Sequence, residues 1–393
     1  NGRYVADINR ENQLYAKIVR SIHGHAKIIN IDISDALTVD GVCGIYVEDD
    51  LAKDGVGPLP CTTKFVAEQP LVVAERYALA RDKVRYVGDP VALVLAETEM
   101  AAQEAAELVL VDYEALPVLV SPVNSMQDGS NLIWSTAPKN IAYRFKKGEK
   151  ESTAAAFDGA AHVVELDIEN NRVMALPIEP RAGIGEYDPK NDVMRLICTA
   201  QGVHAIREQL AQSVFSMDEK KIQISAPDVG GGFGSKINLY NEEIVCSWAS
   251  KKIERPIKWV AERTESFLTD THGRDHITHA ELAVTNDGKF LGFKNETIAN
   301  LGAYARVFGT VTPTYLFGPC ATGVYVMPAA YSNVKAVYTN TAPVDAYRGA
   351  GRPEATYTIE RLVEKAAMEL GMDKTEIRMK NFPTQFPFKQ TLV

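Results

Sequence analysis

The sequence predicts an α+β fold, and three observations point to it. Segment 83–96, KVRYVGDPVALVLA, alternates in the manner of a strand around a Gly-Asp-Pro turn. Segment 97–109, ETEMAAQEAAELV, places apolar residues near helical spacing among strong helix formers. Segment 354–371, EATYTIERLVEKAAMELG, reads as a long helix closed by Gly371 as its C-cap.

The other elements follow in chain order. Residues 14–22 and 26–33 are rich in β-formers and are separated by His23-Gly24-His25, so they read as two strands. Ser34 stands where it could cap a short helix, and Val42–Val47 forms another strand. The strand of 83–96, the helix of 97–109 and the strand VLVDYEALPVLV together read as a βαβ unit. Residues 121–141 hold Ser, Pro, Asn, Asp and Gly without periodicity, which predicts a linker between domains at 1–120 and 142–393. Beyond it, HVVELDIE, VMRLICTA and KIQISAP are strands, helices cover 204–214 and 238–251, and IKWVAE is a strand. The helical segment TEIRMKNF runs into PTQFPFKQTLV, an apolar end that predicts packing against a further surface, such as another chain.

Composition excludes several function classes. With 46% apolar and 24% charged residues over 393 positions, the chain has an ordinary globular balance. Asp plus Glu number 51 against 42 Lys plus Arg, a net charge of −9 that disfavours nucleic-acid binding. The KKGEK run at 146–150 is interrupted by Glu149 and reads as a solvated loop. No apolar run approaches the roughly 18 residues of a membrane span. The first residue is Asn1, with no signal-peptide pattern after it. The five cysteines are widely spaced with no CxxC, which points to a reducing, cytoplasmic setting and against a metal cluster made by this chain alone.

Three segments could carry chemistry. In Val229-Gly230-Gly231-Gly232-Phe233-Gly234-Ser235-Lys236, glycines would let the backbone approach a ligand and present N–H groups to it. The spacing fits neither a Walker A loop nor GxGxxG, and a tight strand-to-helix turn explains it equally well. In Ala346-Tyr347-Arg348-Gly349-Ala350-Gly351-Arg352-Pro353-Glu354, two arginines at a helix start could bind an anion, or Arg352 and Glu354 could pair and cap the helix. In Cys198–His204, Gln201 could present its amide into a site, or the segment is a capping loop. Two further patterns are decoys. His272, His276 and His279 mimic metal-ligand spacing, yet strand alternation puts His276 and His279 on opposite faces. Gly183-Ile184-Gly185-Glu186 reads as a turn entering a strand at Tyr187.

Together these segments resemble the molybdenum-binding subunit of the xanthine dehydrogenase and aldehyde oxidase family of molybdenum hydroxylases. Several motifs stand in family order: Val87-Gly88-Asp89-Pro90-Val91-Ala92, Pro177-Ile178-Glu179-Pro180-Arg181, the Gln201 segment, the Gly loop, Gly302-Ala303-Tyr304, the Arg348 segment and Arg378-Met379-Lys380-Asn381-Phe382. The resemblance implies an N-terminal α/β hammerhead domain followed by the first of two molybdopterin-binding domains. It places the second, with the catalytic Glu, on a partner chain or a missing half, as in a split member such as nicotinate dehydrogenase, whose large molybdopterin subunit this chain resembles.

The resemblance also implies roles. Gln201 would hydrogen-bond an oxygen ligand of molybdenum. Gly232, Phe233 and Gly234 would line the metal and donate backbone N–H groups to its ligands, and Phe233 would border the substrate. Arg348 would face the substrate and stabilise negative charge. Lys380 or Asn381 would reach the pterin. The implied activity is oxidation of a heteroaromatic ring carbon, nicotinate-like or purine-like, or of an aldehyde, with oxygen from water. The implied cofactor is molybdopterin, in dinucleotide form. Electrons would pass to [2Fe–2S] clusters and FAD on other subunits. Two departures narrow this: Ile237 stands where xanthine-oxidising members carry Glu, and Gly349-Ala350 where copper-dependent carbon monoxide dehydrogenases carry Cys. The rival readings are a nucleotide-binding enzyme using the Gly loop and a non-catalytic scaffold half.

Overall fold

Pro90–Ala96 is buried at all seven positions, as its unbroken apolar sequence requires of a strand covered on both faces. Leu93 and Leu95 join the main core with Leu14, Ala16 and Trp259. Val94 and Ala96 face the other way, onto Ala102 and Ala105 of the helix Glu99–Leu108. This computed structural model describes residues 2–64 and 67–392.

The strand belongs to a seven-stranded sheet in the order Ile222–Ser225, Val193–Cys198, Ala182–Asp188, Ile257–Val260, Leu14–Arg20, Pro90–Ala96 and Val42–Val47. Both of its edges are taken, by antiparallel pairing to Leu14–Arg20 and Val42–Val47. The expected βαβ unit is therefore not formed. After the helix, Leu110–Ala115 pairs antiparallel with Ala26–Asp32 in a separate three-stranded sheet. The seven-stranded sheet also joins strands from both sides of 121–141, through the parallel pairing of Leu14–Arg20 with Ile257–Val260.

Residues 121–141 pack rather than hang as a linker. The Ser125 hydroxyl donates to the Tyr338 carbonyl at 2.8 Å, and the buried Asn140 amide bonds Ile133, Ser125 and Asn131. The Ser125 bond fastens the segment to a second, five-stranded sheet ordered Ile141–Gly148, Ala329–Tyr338, Phe290–Gly302, His276–Val284 and His162–Asn170. Helix Arg352–Leu370 covers this sheet, burying Ile359, Leu362 and Val363 against Leu282 and Phe293. Gly371 closes it at φ 64°, in the left-handed region expected of a C-cap.

Other local expectations shift. The 204–214 helix is α-helical over Val203–Gln209 and ends in a π turn at Leu210–Val214. The next helix runs Asn241–Ile253, not 238–251. Ser34 bonds Asp32 and caps nothing, and Lys146 and Lys147 end a strand instead of lying in a loop. Gly183–Glu186 lies within the strand Ala182–Asp188, where a Cβ on Gly185 would stand 2.3 Å from the Cys246 carbonyl of the packed helix. His276 is buried and His279 bonds Asp167 on the opposite face, as alternation predicted. The apolar end packs on its own chain through Leu392, a core residue. Among the described residues, no helix is long and apolar enough to cross a membrane, and no His, Cys, Asp or Glu cluster is placed to hold a metal ion.

Candidate functional site

Strand Val193–Cys198 delivers Gln201 to the end of the large sheet, beside the Gly loop. Three hydrogen bonds join them. The Gln201 backbone N–H donates to the Lys236 carbonyl at 2.7 Å. Its side-chain oxygen accepts the N–H of Gly234 at 2.9 Å and of Lys236 at 3.2 Å. Two donors on the oxygen fix the amide's orientation, so its NH2 group is the end presented to the neighbouring cavity.

The glycines are there for space as well as for dihedral freedom. A Cβ on Gly232 would sit 2.4 Å from the Gln201 oxygen, and one on Gly234 would sit 2.5 Å from the Ala346 carbonyl. Between them Phe233 adopts φ 51°, a left-handed conformation that costs roughly 1–2 kcal/mol outside glycine. Its carbonyl accepts the Arg348 N–H at 2.9 Å, which ties the loop to the opposite wall. The N–H groups of Gly231, Gly232 and Phe233 have no acceptor among the described residues. The Gly234 N–H, expected to face a ligand, is instead engaged by Gln201.

A buried ion pair underlies the loop. Lys236, with a side chain of 0% exposure, donates to the Glu179 carbonyl at 2.8 Å and its carboxylate at 3.0 Å. The same carboxylate oxygen accepts the Gly230 N–H at 2.7 Å, so Glu179 holds both ends of the loop. Burial lowers the Lys236 ammonium pKa, against the pull of Glu179. Beneath lies Arg181, bonded to Asp270 at 2.6 Å and Glu242 at 2.7 Å and stacked on Tyr240. Burial disfavours the charged form of Glu242, but Arg181 and Arg20 outweigh it and hold the carboxyl far below its ordinary range. The Tyr240 hydroxyl then donates to the Ser235 carbonyl at 2.6 Å, linking this network to the loop.

The facing wall is residues 345–352. Asp345 accepts from Asn238, Arg306 and the Phe308 N–H. Arg274 donates to the carbonyls of Tyr347 and Arg348 and to the Glu354 carboxylate at 3.0 Å. The expected Arg352–Glu354 pair is therefore not formed, because Arg274 takes the buried Glu354. Arg348 stands over the Phe233 ring, 5.9 Å from its centroid.

The two walls enclose a cavity of about 650 Å³ lined by Gln201, Phe233, Gly234, Ile237, Phe308, Tyr315, Arg348 and Arg352. Its lining carries two guanidiniums and no carboxylate. The structure thus brings Gln201, Phe233, Gly234 and Arg348 to one cavity, with Gly232 in contact with Gln201. It does not bring Lys380 and Asn381 there. Asn381 is buried, bonding Gly288, Ile377 and Phe290, and Lys380 donates to Asp287. Sequence reasoning missed Glu179 as the loop's support; a lysine ending an apolar glycine loop was the signal, since a buried ammonium needs an acid. The nucleotide reading also loses its basis. Helix Asn241–Ile253 starts well beyond Lys236, so the loop is not at a helix N-terminus.

Residues 133–382 match the molybdopterin cofactor-binding domain, and residues 1–117 match the a/b hammerhead domain of aldehyde oxidase and xanthine dehydrogenase. The chain is similar to the 6-hydroxypseudooxynicotine dehydrogenase complex subunit gamma of Paenarthrobacter nicotinovorans, with 34% identity over 97% of this chain and 47% of that one. It is similar to the nicotinate dehydrogenase large molybdopterin subunit of Eubacterium barkeri, with 29% identity over 96% of this chain and 84% of that one. Among solved structures, quinoline 2-oxidoreductase from Pseudomonas putida 86 superposes with a TM-score of 0.92 and 32% identity, over 99% of this chain and 50% of that one. The chain thus spans about half the length of the first relative and of the solved structure.

Proposed function

Because this chain belongs to the aldehyde oxidase and xanthine dehydrogenase family of molybdopterin-binding proteins, we propose that it forms one half of the active site of a molybdenum hydroxylase. The proposed reaction oxidises a heteroaromatic ring carbon or an aldehyde with oxygen from water. The proposed partners are a second molybdopterin-binding half, a [2Fe–2S] subunit and an FAD subunit. The proposed division is a hammerhead domain over 1–120 and a cofactor domain over 142–393. The five free cysteines support a reducing compartment, the cytoplasm.

The observation that carries this reading is the locked Gln201 amide beside the unengaged N–H groups of Gly231, Gly232 and Phe233. These are donors, not metal ligands, and among the described residues the chain offers no metal-binding cluster. Such a donor set fits a metal carried by an organic cofactor. When bound, molybdopterin supplies the two-electron redox chemistry.

The chain's own residues do the positioning. The Gln201 NH2 and the loop N–H groups would hold the cofactor by donating hydrogen bonds to it. Phe233 and Phe308 give the substrate a flat apolar border. Arg348 receives a carboxylate or developing negative charge. Ile237 makes the adjoining wall apolar, which supports a nicotinate-like rather than a purine substrate. No acid lines the cavity, so the proposed general base comes from the other half. The test is the molybdenum content of the native complex by elemental mass spectrometry. About one molybdenum per copy of this chain is expected; none, with intact partner chains, would overturn the proposal.

A further inference from the structure

Arg76 is 4% exposed, and burial followed by the nearby Arg306 charge lowers its pKa. One of its nitrogens donates to the Asn241 side chain at 2.6 Å. Its other two, Nε and Nη1, have no partner among the described residues. Arg306 is equally buried. Its Nε donates to Asp345 at 3.2 Å and its Nη1 to the Leu239 carbonyl at 2.9 Å, while its Nη2 has no partner. The two guanidiniums thus flank residues 239–241, at the start of the thirteen-residue helix Asn241–Ile253.

Among the described residues Arg76 has no ion pair, and Arg306 has only Asp345, which it shares. Asp345 also accepts from Asn238 and the Phe308 N–H. Asp89 attracts Arg76 without bonding it: its carboxylate accepts the Arg85 N–H and the Tyr304 hydroxyl, and the Tyr304 ring lies 5.2 Å from the guanidinium. A buried guanidinium without an ion pair, as Arg76 is, is strongly unfavourable, and Arg306 beside it adds repulsion. Because the three nitrogens are sealed by this chain itself, no partner subunit reaches them. Water could accept their hydrogens but would bring no charge. The positive end of the helix adds to the same field.

We propose that Arg76 and Arg306 hold a small inorganic anion of chloride size at the seam between the N-terminal strands, the Asn241–Ile253 helix and the wall of the cavity. Neither arginine lines the cavity itself. The anion acts as a structural ion, since Arg306 passes through Asp345 to the segment that carries Arg348.

Crystals of the native complex, purified and grown in bromide in place of chloride, test this. An anomalous bromide peak within hydrogen-bond reach of Arg76 Nε and Nη1 and Arg306 Nη2 is expected. No peak there, or a feature refining as water, would overturn the proposal. Thermal unfolding in sodium chloride against sodium gluconate at equal ionic strength gives a second reading. Tm should rise by about 1–2 °C per tenfold increase in chloride, and Arg76→Met should remove that dependence. Equal Tm values in both salts would count against the site. If Arg76→Met does not fold, the bromide peak in the unaltered protein decides.

Discussion

Glu179 binds Lys236 twice, through its carbonyl at 2.8 Å and its carboxylate at 3.0 Å, and the Lys236 side chain has no exposed surface. The pair sets the ends of the Gly loop, since the same carboxylate takes the Gly230 N–H. Removing one member leaves the other buried and uncompensated. Glu179→Ala should therefore destabilise the chain by about 3–5 kcal/mol, and Lys236→Met, which leaves a Glu179 side chain 12% exposed and still bonded to the Gly230 N–H, by less. Denaturant unfolding of both variants checks the order. Equal and small losses would show that the loop does not depend on this pair.

Gly232 and Gln201 should behave as one unit. The Cβ of Gly232→Ala would stand 2.4 Å from the Gln201 oxygen and must displace the amide. A displacement near 1 Å in a positioning group costs on the order of 10²-fold in rate. Gln201→Ala in the Gly232→Ala background should add little, because the amide is already misplaced. Steady-state kinetics of the assembled complex with molybdenum content measured alongside tests this; fully additive losses would separate the two residues.

Arg348→Gln should raise KM for a carboxylated substrate by about 10–100-fold, the worth of a charged hydrogen bond, and leave a neutral analogue nearly unchanged. Molybdenum content should stay at the level of the unaltered complex. Equal losses on both substrates would place Arg348 with the cofactor instead.

Glu48 makes stability pH-dependent in a definite direction. Burial raises its pKa from 4.5 to about 7, despite the Leu79 N–H and Arg81 beside it. Between those values the folded chain keeps a proton that the unfolded chain has lost. Stability therefore falls as pH rises from 4.5 to 7, by at most about 1.4 kcal/mol per pH unit for this group, and levels above. Glu243, raised to about 7 chiefly by burial, adds a parallel slope. Glu48→Gln should make the measured slope shallower and raise stability at pH 8. An unchanged slope would remove Glu48 from the account.

Much of the candidate site was legible in order along the chain. Gln201, the Gly loop and Arg348 were each visible because glycine, amide and guanidinium stand at breaks between regular segments, where backbone geometry and side-chain chemistry are local properties. Their convergence was not. Whether the Gly234 N–H faces a ligand or Gln201, and whether Glu354 pairs with Arg352 or Arg274, depends on segments far apart in sequence. Lys380 and Asn381 show the converse. A motif was recognised, but helix Lys374–Asn381 bonds to the 287–290 turn and not to the cavity.

The sequence by itself determined several of the elements, because period and capping act over a few residues: Val42–Val47 and the Gly371 stop lie where the pattern put them. Only the tertiary structure decided how strands share edges. Pro90–Ala96 has two edges, and both went to earlier strands, so Leu110–Ala115 was turned into another sheet. It also decided which buried charge meets which, and with it the shape of the Gly loop, because an ion pair in the interior is fixed by three-dimensional proximity and the exclusion of water.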